Sequence, residues 1–360
     1  MTSPRINSLE DLYQYLHAAM QLEHATIPPY LTALYSMHPN TNLDAFHVIR
    51  VVAVEEMLHL TLVANILNAV GGTPDLTQPD FVPTYPAFLP DGEADFQVDL
   101  QPFSQDAVST FLKIERPDGA PDEDSRIVPT DRPPHQCFAS PPGASGMRFY
   151  SIGDFYQEIE RGLEYLQGEM AKEGKDLFVG DPARQVTPDY YYSGGGEVIA
   201  VIDMESAAAA IRLISEQGEG FGGGIYDMEA ELAHYYRFQQ LVEGQYYRKG
   251  DKADHPTGPH LRVDWEAVYP VKKNARLEDY PDDSEVFAAA VGFNRSYADF
   301  LGLLTQAYTG RPELLIDAVA GMFRIKEAMT ALMRHPIPGT NAVNAGPTFE
   351  MATVTEEVHA

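Results

Sequence analysis

Val54-Glu55-Glu56-Met57-Leu58-His59-Leu60 and Glu231-Leu232-Ala233-His234 are the stretches from which the fold can be read. Each holds Glu-x-x-His in a segment that reads as helix. A spacing of three places both side chains on one helix face, one above the other. Two such helices, each partnered by a helix that offers a further Glu, make the ligand set of a di-iron or di-manganese carboxylate site inside a four-helix bundle. One Glu-x-x-His is a common surface pattern. Two, each with a suitable Glu upstream, are not.

Hard carboxylate oxygens and imidazole suit Fe(II), Fe(III) and Mn(II). On this reading Glu56 and Glu231 bridge two metals, and His59 and His234 bind one each. Glu23 completes the first pair. It and Glu56 lie seventeen and sixteen positions either side of a turn near residue 40, so they face each other in an antiparallel hairpin. Glu216 pairs with Glu231 across the glycine-rich turn Gly218–Gly224. Glu160 is its rival, because it sits beside an apolar stripe of Tyr156, Ile159 and Leu163. Glu158 and Glu219 are weaker candidates. His24 and Glu55 read as neighbours of the ligands or as surface groups.

The flanking pattern is helical. Ser8 caps a first helix in which Leu12, Leu16 and Met20 recur at helical spacing, and Pro28-Pro29 predicts a break just after Glu23. A second helix spans about 43–70 and stops at Gly71-Gly72. Residues 73–150 are rich in proline, with one short helix near 104–115. Further helices are predicted over 152–172, 207–217 and 225–247, and a closing αα-hairpin over 284–308 and 311–334. The aromatics after His234, among them Tyr236 and Phe238, read as core packing.

Composition excludes several functions. The chain has 360 residues and a net charge of −28, which repels phosphate backbones and anionic membranes. The single cysteine, Cys137, builds neither a disulfide nor a thiolate zinc site. No apolar run reaches the length of a membrane span, and the first residues have no apolar run behind them. The expectation is a cytoplasmic protein that binds neither nucleic acid nor membrane. Gly218–Gly224 lacks the Lys-Ser/Thr ending of a phosphate loop.

Longer stretches resemble a known family. They are Leu22-Glu23-His24-Ala25-Thr26-Ile27-Pro28-Pro29-Tyr30, Val54 to Leu60, Gly71-Gly72-Thr73-Pro74, Phe81-Val82-Pro83, Ile114-Glu115-Arg116-Pro117, Ile152-Gly153-Asp154-Phe155-Tyr156, Glu216-Gln217-Gly218-Glu219-Gly220, Ala233-His234-Tyr235-Tyr236-Arg237-Phe238 and Ala345-Gly346-Pro347-Thr348-Phe349-Glu350. They are similar to the bacterial ferritin-like family that includes the ferritin-like portion of the violacein-pathway iminophenyl-pyruvate dimer synthase. The resemblance implies a mainly α, ferritin-like four-helix bundle with a long loop-rich crossover and a C-terminal helical hairpin. It also implies a metal site and a link to oxidative tailoring in secondary metabolism.

Residues 1–247 are then the metal-binding bundle, with 73–150 as a crossover or lid. Residues 248–360 form a linker, a helical hairpin and an extended tail packed on it. The expected function is that of a non-heme di-iron or di-metal oxidoreductase. Its substrates would be a small amino-acid-derived molecule, such as an imine, and O₂ or peroxide. Two iron ions are the expected cofactor, with manganese as the alternative, and a homo-oligomer fits the same reading. Iron storage or detoxification, peroxide dismutation by two manganese ions and a metal-free binding bundle are the competing functions.

Overall fold

The computed structural model describes residues 6–90, 96–117, 152–192, 194–221 and 224–351. Residues 91–95 and 118–150 of the predicted crossover, and with them Cys137, lie outside the described residues. Eight α-helices are described: α1 (Leu9–Ser36), α2 (Leu43–Ala69), α3 (Gln105–Ile114), α4 (Ile152–Lys172), α5 (Met204–Glu219), α6 (His234–Glu243), α7 (Glu285–Tyr308) and α8 (Leu315–Leu332). Among the described residues no helix is long and apolar enough to cross a membrane.

The four-helix bundle is made by α1, α2, α4 and α5. The α1–α2 hairpin packs against α4 and α5, with α4 on α1 and α5 on α2. The short helices α3 and α6 pack on each other, α3 also on α1, and α6 also on α2 and α5. The α7–α8 hairpin covers the other side of α1 and α2. One apolar core runs through all of these layers, from Leu12 and Leu62 to Phe293, Tyr297 and Met329.

Caps set the helix starts. Ser8 accepts from the Asp11 amide, Ser104 from the Ala107 amide and Ser284 from the Phe287 amide. Asp203 and Ser206 form a reciprocal capping box at α5. Each such cap is worth about 1 kcal/mol.

Two predicted features are corrected. First, α1 does not break after Glu23 but runs on through Pro28 and Pro29. A proline at position 29 frees the carbonyl of Ala25, four residues earlier. The Tyr85 hydroxyl donates to that carbonyl at 2.8 Å, so the freed acceptor is paired within the fold. Second, the predicted helix over 225–247 begins only at His234. Before it the chain folds back on itself, with Tyr226 bridged to Leu232 and Ala230 at φ 66°. Glu231 and His234 therefore do not share a helix face. The second hairpin of the bundle is α4–α5, not a hairpin across the glycine-rich turn.

Candidate metal centre

Glu23 and Glu56 face each other across the α1–α2 hairpin, each 3% exposed. His59, one turn on from Glu56, brings Nδ1 to 3.2 Å from Glu23 Oε2 and 3.9 Å from Glu56 Oε1. On the other side of Glu56, His234 at the first position of α6 places Nδ1 2.9 Å from the same Glu56 Oε1. It also stands 3.3 Å from Oε2 of Glu115, the residue that ends α3. The result is two buried donor groups, Glu23–Glu56–His59 and Glu56–Glu115–His234, with ligand atoms of each group within 4.8 Å of one another. Glu56 belongs to both.

The outer nitrogen of each imidazole is held by a different partner. His59 Nε2 lies 2.9 Å from Gln217 Oε1. The Gln217 amide nitrogen donates to Gly195 O at 2.7 Å, which turns its oxygen toward His59. His59 therefore carries a hydrogen on Nε2, its Nδ1–H faces Glu23, and a cation that replaced that inner proton would meet the Nδ1 lone pair. Gly195 sits at φ 92°, where a Cβ would also come within 2.9 Å of Glu55, so glycine is required for this approach.

His234 Nε2 lies 2.8 Å from Glu55 Oε2. Arg237 holds the same carboxylate at 3.2 Å. An ionised carboxylate only accepts, so His234 keeps a hydrogen on Nε2, its Nδ1–H donates to Glu56, and a cation that replaced that inner proton would meet the Nδ1 lone pair. Two buried tyrosines complete the shell: Tyr156 donates to Glu23 and Tyr30 donates to Glu115.

Burial pushes the Glu56 carboxyl up to about 8, and the charges of Glu115 and Glu23 add to the effect. Burial opposes the charged form of His234, but Glu115, Glu55 and Glu56 outweigh it and hold its pKa well above the usual imidazole range. His59 is raised in the same way by Glu23 and Glu56. Glu55 is lowered: burial works against its charge, but His234 and Arg237 outweigh that. Three mutually repelling buried carboxylates and two inward-facing imidazoles need positive charge. Protons can supply it, and bound cations would displace them. This all-oxygen-and-imidazole set fits a two-metal site.

The other sequence candidates lie elsewhere. Glu231 is exposed and paired with Arg237 at 2.9 Å. Glu216 is half-buried, in the field of Arg212. Glu160, also half-buried, stands near Glu164 on α4. None of the three is in the cluster. Glu219 accepts from the Gly153 amide at 2.7 Å and lines the small space beside the cluster. Glu158, buried on α4, has the Arg161 guanidinium at 3.6 Å. Glu115 carries no spacing signal, because a single Glu before Arg116-Pro117 has no partner at helical spacing. Its only signal was the family-like segment around it.

The model of the ferritin-like family, described as "Ferritin-like", matches residues 16–243. The chain belongs to that family. It is 27% identical over 319 residues to dichlorochromopyrrolate synthase of Lentzea aerocolonigenes, covering 83% of this chain and 29% of that protein. It is 26% identical over 199 residues to 2-imino-3-(indol-3-yl)propanoate dimerase of Chromobacterium violaceum, covering 53% of this chain and 16% of that protein. The chain thus spans less than a third of either relative. A crystal structure of a ferritin-like protein from Caulobacter vibrioides shares the fold, with a TM-score of 0.60 at 23% identity over 91% of this chain and 96% of that one.

Proposed function

We propose that this chain is a non-heme, two-metal oxidoreductase acting on a small amino-acid-derived molecule, with an imino acid as the substrate class. The observation that carries the reading is Glu56, one buried carboxylate common to two Glu/His groups. Glu23, Glu56 and His59 would hold one ion, and Glu56, Glu115 and His234 the other. Two iron ions, when bound, supply the electron-transfer chemistry toward O₂ or peroxide that side chains lack. The imino-acid class is supported by the relatives, one of which is named for a 2-imino acid bearing an indole.

The protein's own groups prepare the site. Gln217 and Glu55 fix the imidazole tautomers, and Tyr156 and Tyr30 orient the carboxylates of Glu23 and Glu115. Arg237 offsets the charge of Glu55. Ile152 and Ile214 form the apolar part of the space beside the cluster, while Ser215, Gly218 and Glu219 form its polar wall. That space is about 10 Å³, roughly one water's worth.

The test is metal analysis by mass spectrometry of protein purified without a chelating tag, beside a Glu56→Ala/His234→Ala variant. About two iron or manganese ions per chain, lost in the variant, is the expected result. One ion per chain in the wild type would require a different ligand set. No metal after anaerobic loading with Fe(II) would end the oxidoreductase reading.

A further inference from the structure

A larger cavity lies on the opposite face of the α1–α2 hairpin, between it and the α7–α8 hairpin, and shares no residue with the cluster around Glu56. Its volume is about 60 Å³. One water needs about 10–15 Å³ on the same measure and a closed apolar cavity of about 150 Å³ holds benzene, so a single ring fits here only with part of it in the open mouth of the space. Leu31 of α1, Met57 and Leu60 of α2, Leu304 of α7 and Met322 of α8 form much of its wall. Among the described residues no Asp, Glu, Lys or Arg lines it.

Besides the hydroxyls of Thr61 and Tyr308, which pair with each other, and of further tyrosines, the wall carries one imidazole, His24, whose side chain is almost wholly buried at 1% exposure. Its Nε2 is 2.8 Å from the Tyr297 hydroxyl, and its ring is wedged between those of Phe81 and Tyr297. Nδ1 is buried and has no hydrogen-bond partner. A buried polar atom left unpaired is costly, and native folds rarely keep one without an outside partner. Water is a poor occupant, because a buried water takes about three hydrogen bonds and these walls are mostly apolar. An ion would be buried without a counter-charge. Aromatic and thioether groups around the space (Tyr297, Phe300, Tyr308, Met57 and Met322) favour contact with a ring.

We propose that this cavity is a second binding site, for an uncharged single-ring aromatic molecule whose one hydrogen-bonding group meets His24 Nδ1. The proposal does not depend on the metal reading, since no residue is common to the two pockets.

Calorimetry of the intact chain with phenol, toluene and benzoate tests it. Phenol binds saturably to one site, toluene binds about five- to tenfold more weakly, and benzoate does not bind. His24→Phe removes the preference for phenol over toluene without weakening toluene. Ala318→Phe and Met322→Trp, which fill the cavity from α8, each abolish binding of both. Circular dichroism identifies the variants that are folded, and either filled variant suffices. Four results overturn the proposal: no saturable phenol binding by the wild type, binding that survives in a folded filled variant, benzoate binding as tightly as phenol, or a phenol preference that persists in His24→Phe.

Discussion

Glu23 and His59 project from the interiors of helices of 28 and 27 residues, whereas Glu115 and His234 stand at the end and the start of helices of 10 residues each. The two halves of the candidate centre share Glu56 but are built differently. Mid-helix positions are fixed by backbone hydrogen bonds on both sides. Terminal positions depend on what holds the helix end, because end groups lack intrahelical partners. On the short-helix side that anchoring comes from Tyr30 on Glu115 and from Glu55 and Arg237 around His234. The supporting partners also differ: a carboxylate holds His234 and a neutral amide holds His59.

The largest expected effect separates the halves directly. His59→Ala and His234→Ala should each lower metal content by about one ion per chain. Only His234→Ala should also raise amide hydrogen exchange across α6 and the preceding turn, while α1 and α2 stay protected. Equal exchange behaviour of the two variants would dissolve the comparison. Metal removal by chelation should repeat the pattern in the wild type, loosening the ends of α3 and α6 before any part of α1 or α2.

The outer partners give the next effect. Glu55→Gln and Gln217→Leu should each weaken metal affinity about 10- to 100-fold, in metal titration of the purified chain. Glu55→Gln should act on the Glu115/His234 step and Gln217→Leu on the Glu23/His59 step. A single shared shift in both titrations would contradict the assignment of one partner to each half.

The shared residue predicts a pH dependence. Metal-free protein in which Glu56 titrates near 8 when folded, but near 4.3 when unfolded, binds an extra proton between those values. The stability this contributes is complete below the unfolded pKa and is lost as pH rises through about 8. Thermal melts of metal-free protein should therefore fall from pH 5 to pH 9, and fall less in Glu56→Gln. The smallest effect concerns the long-helix half alone. Tyr85→Phe should cost about 1–3 kcal/mol in denaturant unfolding, because it leaves the Ala25 carbonyl beside Pro29 without a donor.

Much of this was legible in the chain. Apolar periodicity and terminators placed α2, α4 and α7 nearly to the residue. The symmetry of Glu23 and Glu56 about the turn near residue 40 held because a short connection between two regular helices fixes their register. The same symmetry argument misled for Glu216 and Glu231. The segment between them is no simple helix turn: Ala230 adopts positive φ and the chain doubles back before His234. The proline break failed for a related reason. Its premise, an unpaired carbonyl, is true locally but is answered by Tyr85, a residue 60 positions from Ala25.

The sequence by itself therefore determined most of the helices, the α1–α2 hairpin and the meeting of Glu23 with Glu56 and His59, because helical spacing and the register of a short hairpin are local properties of the chain, whereas His234 reaches the cluster without the helical pairing to Glu231 that singled it out. Only the tertiary structure decided that Glu115 joins them, that Glu231 does not, and that Glu55 and Gln217 orient the two imidazoles. Those contacts cross 119, 179 and 158 positions of sequence, from His234 to Glu115, from His234 to Glu55 and from His59 to Gln217. No local periodicity encodes such pairings. They arise when α3, α5 and α6 pack on the hairpin and bury their polar groups where only one another can satisfy them.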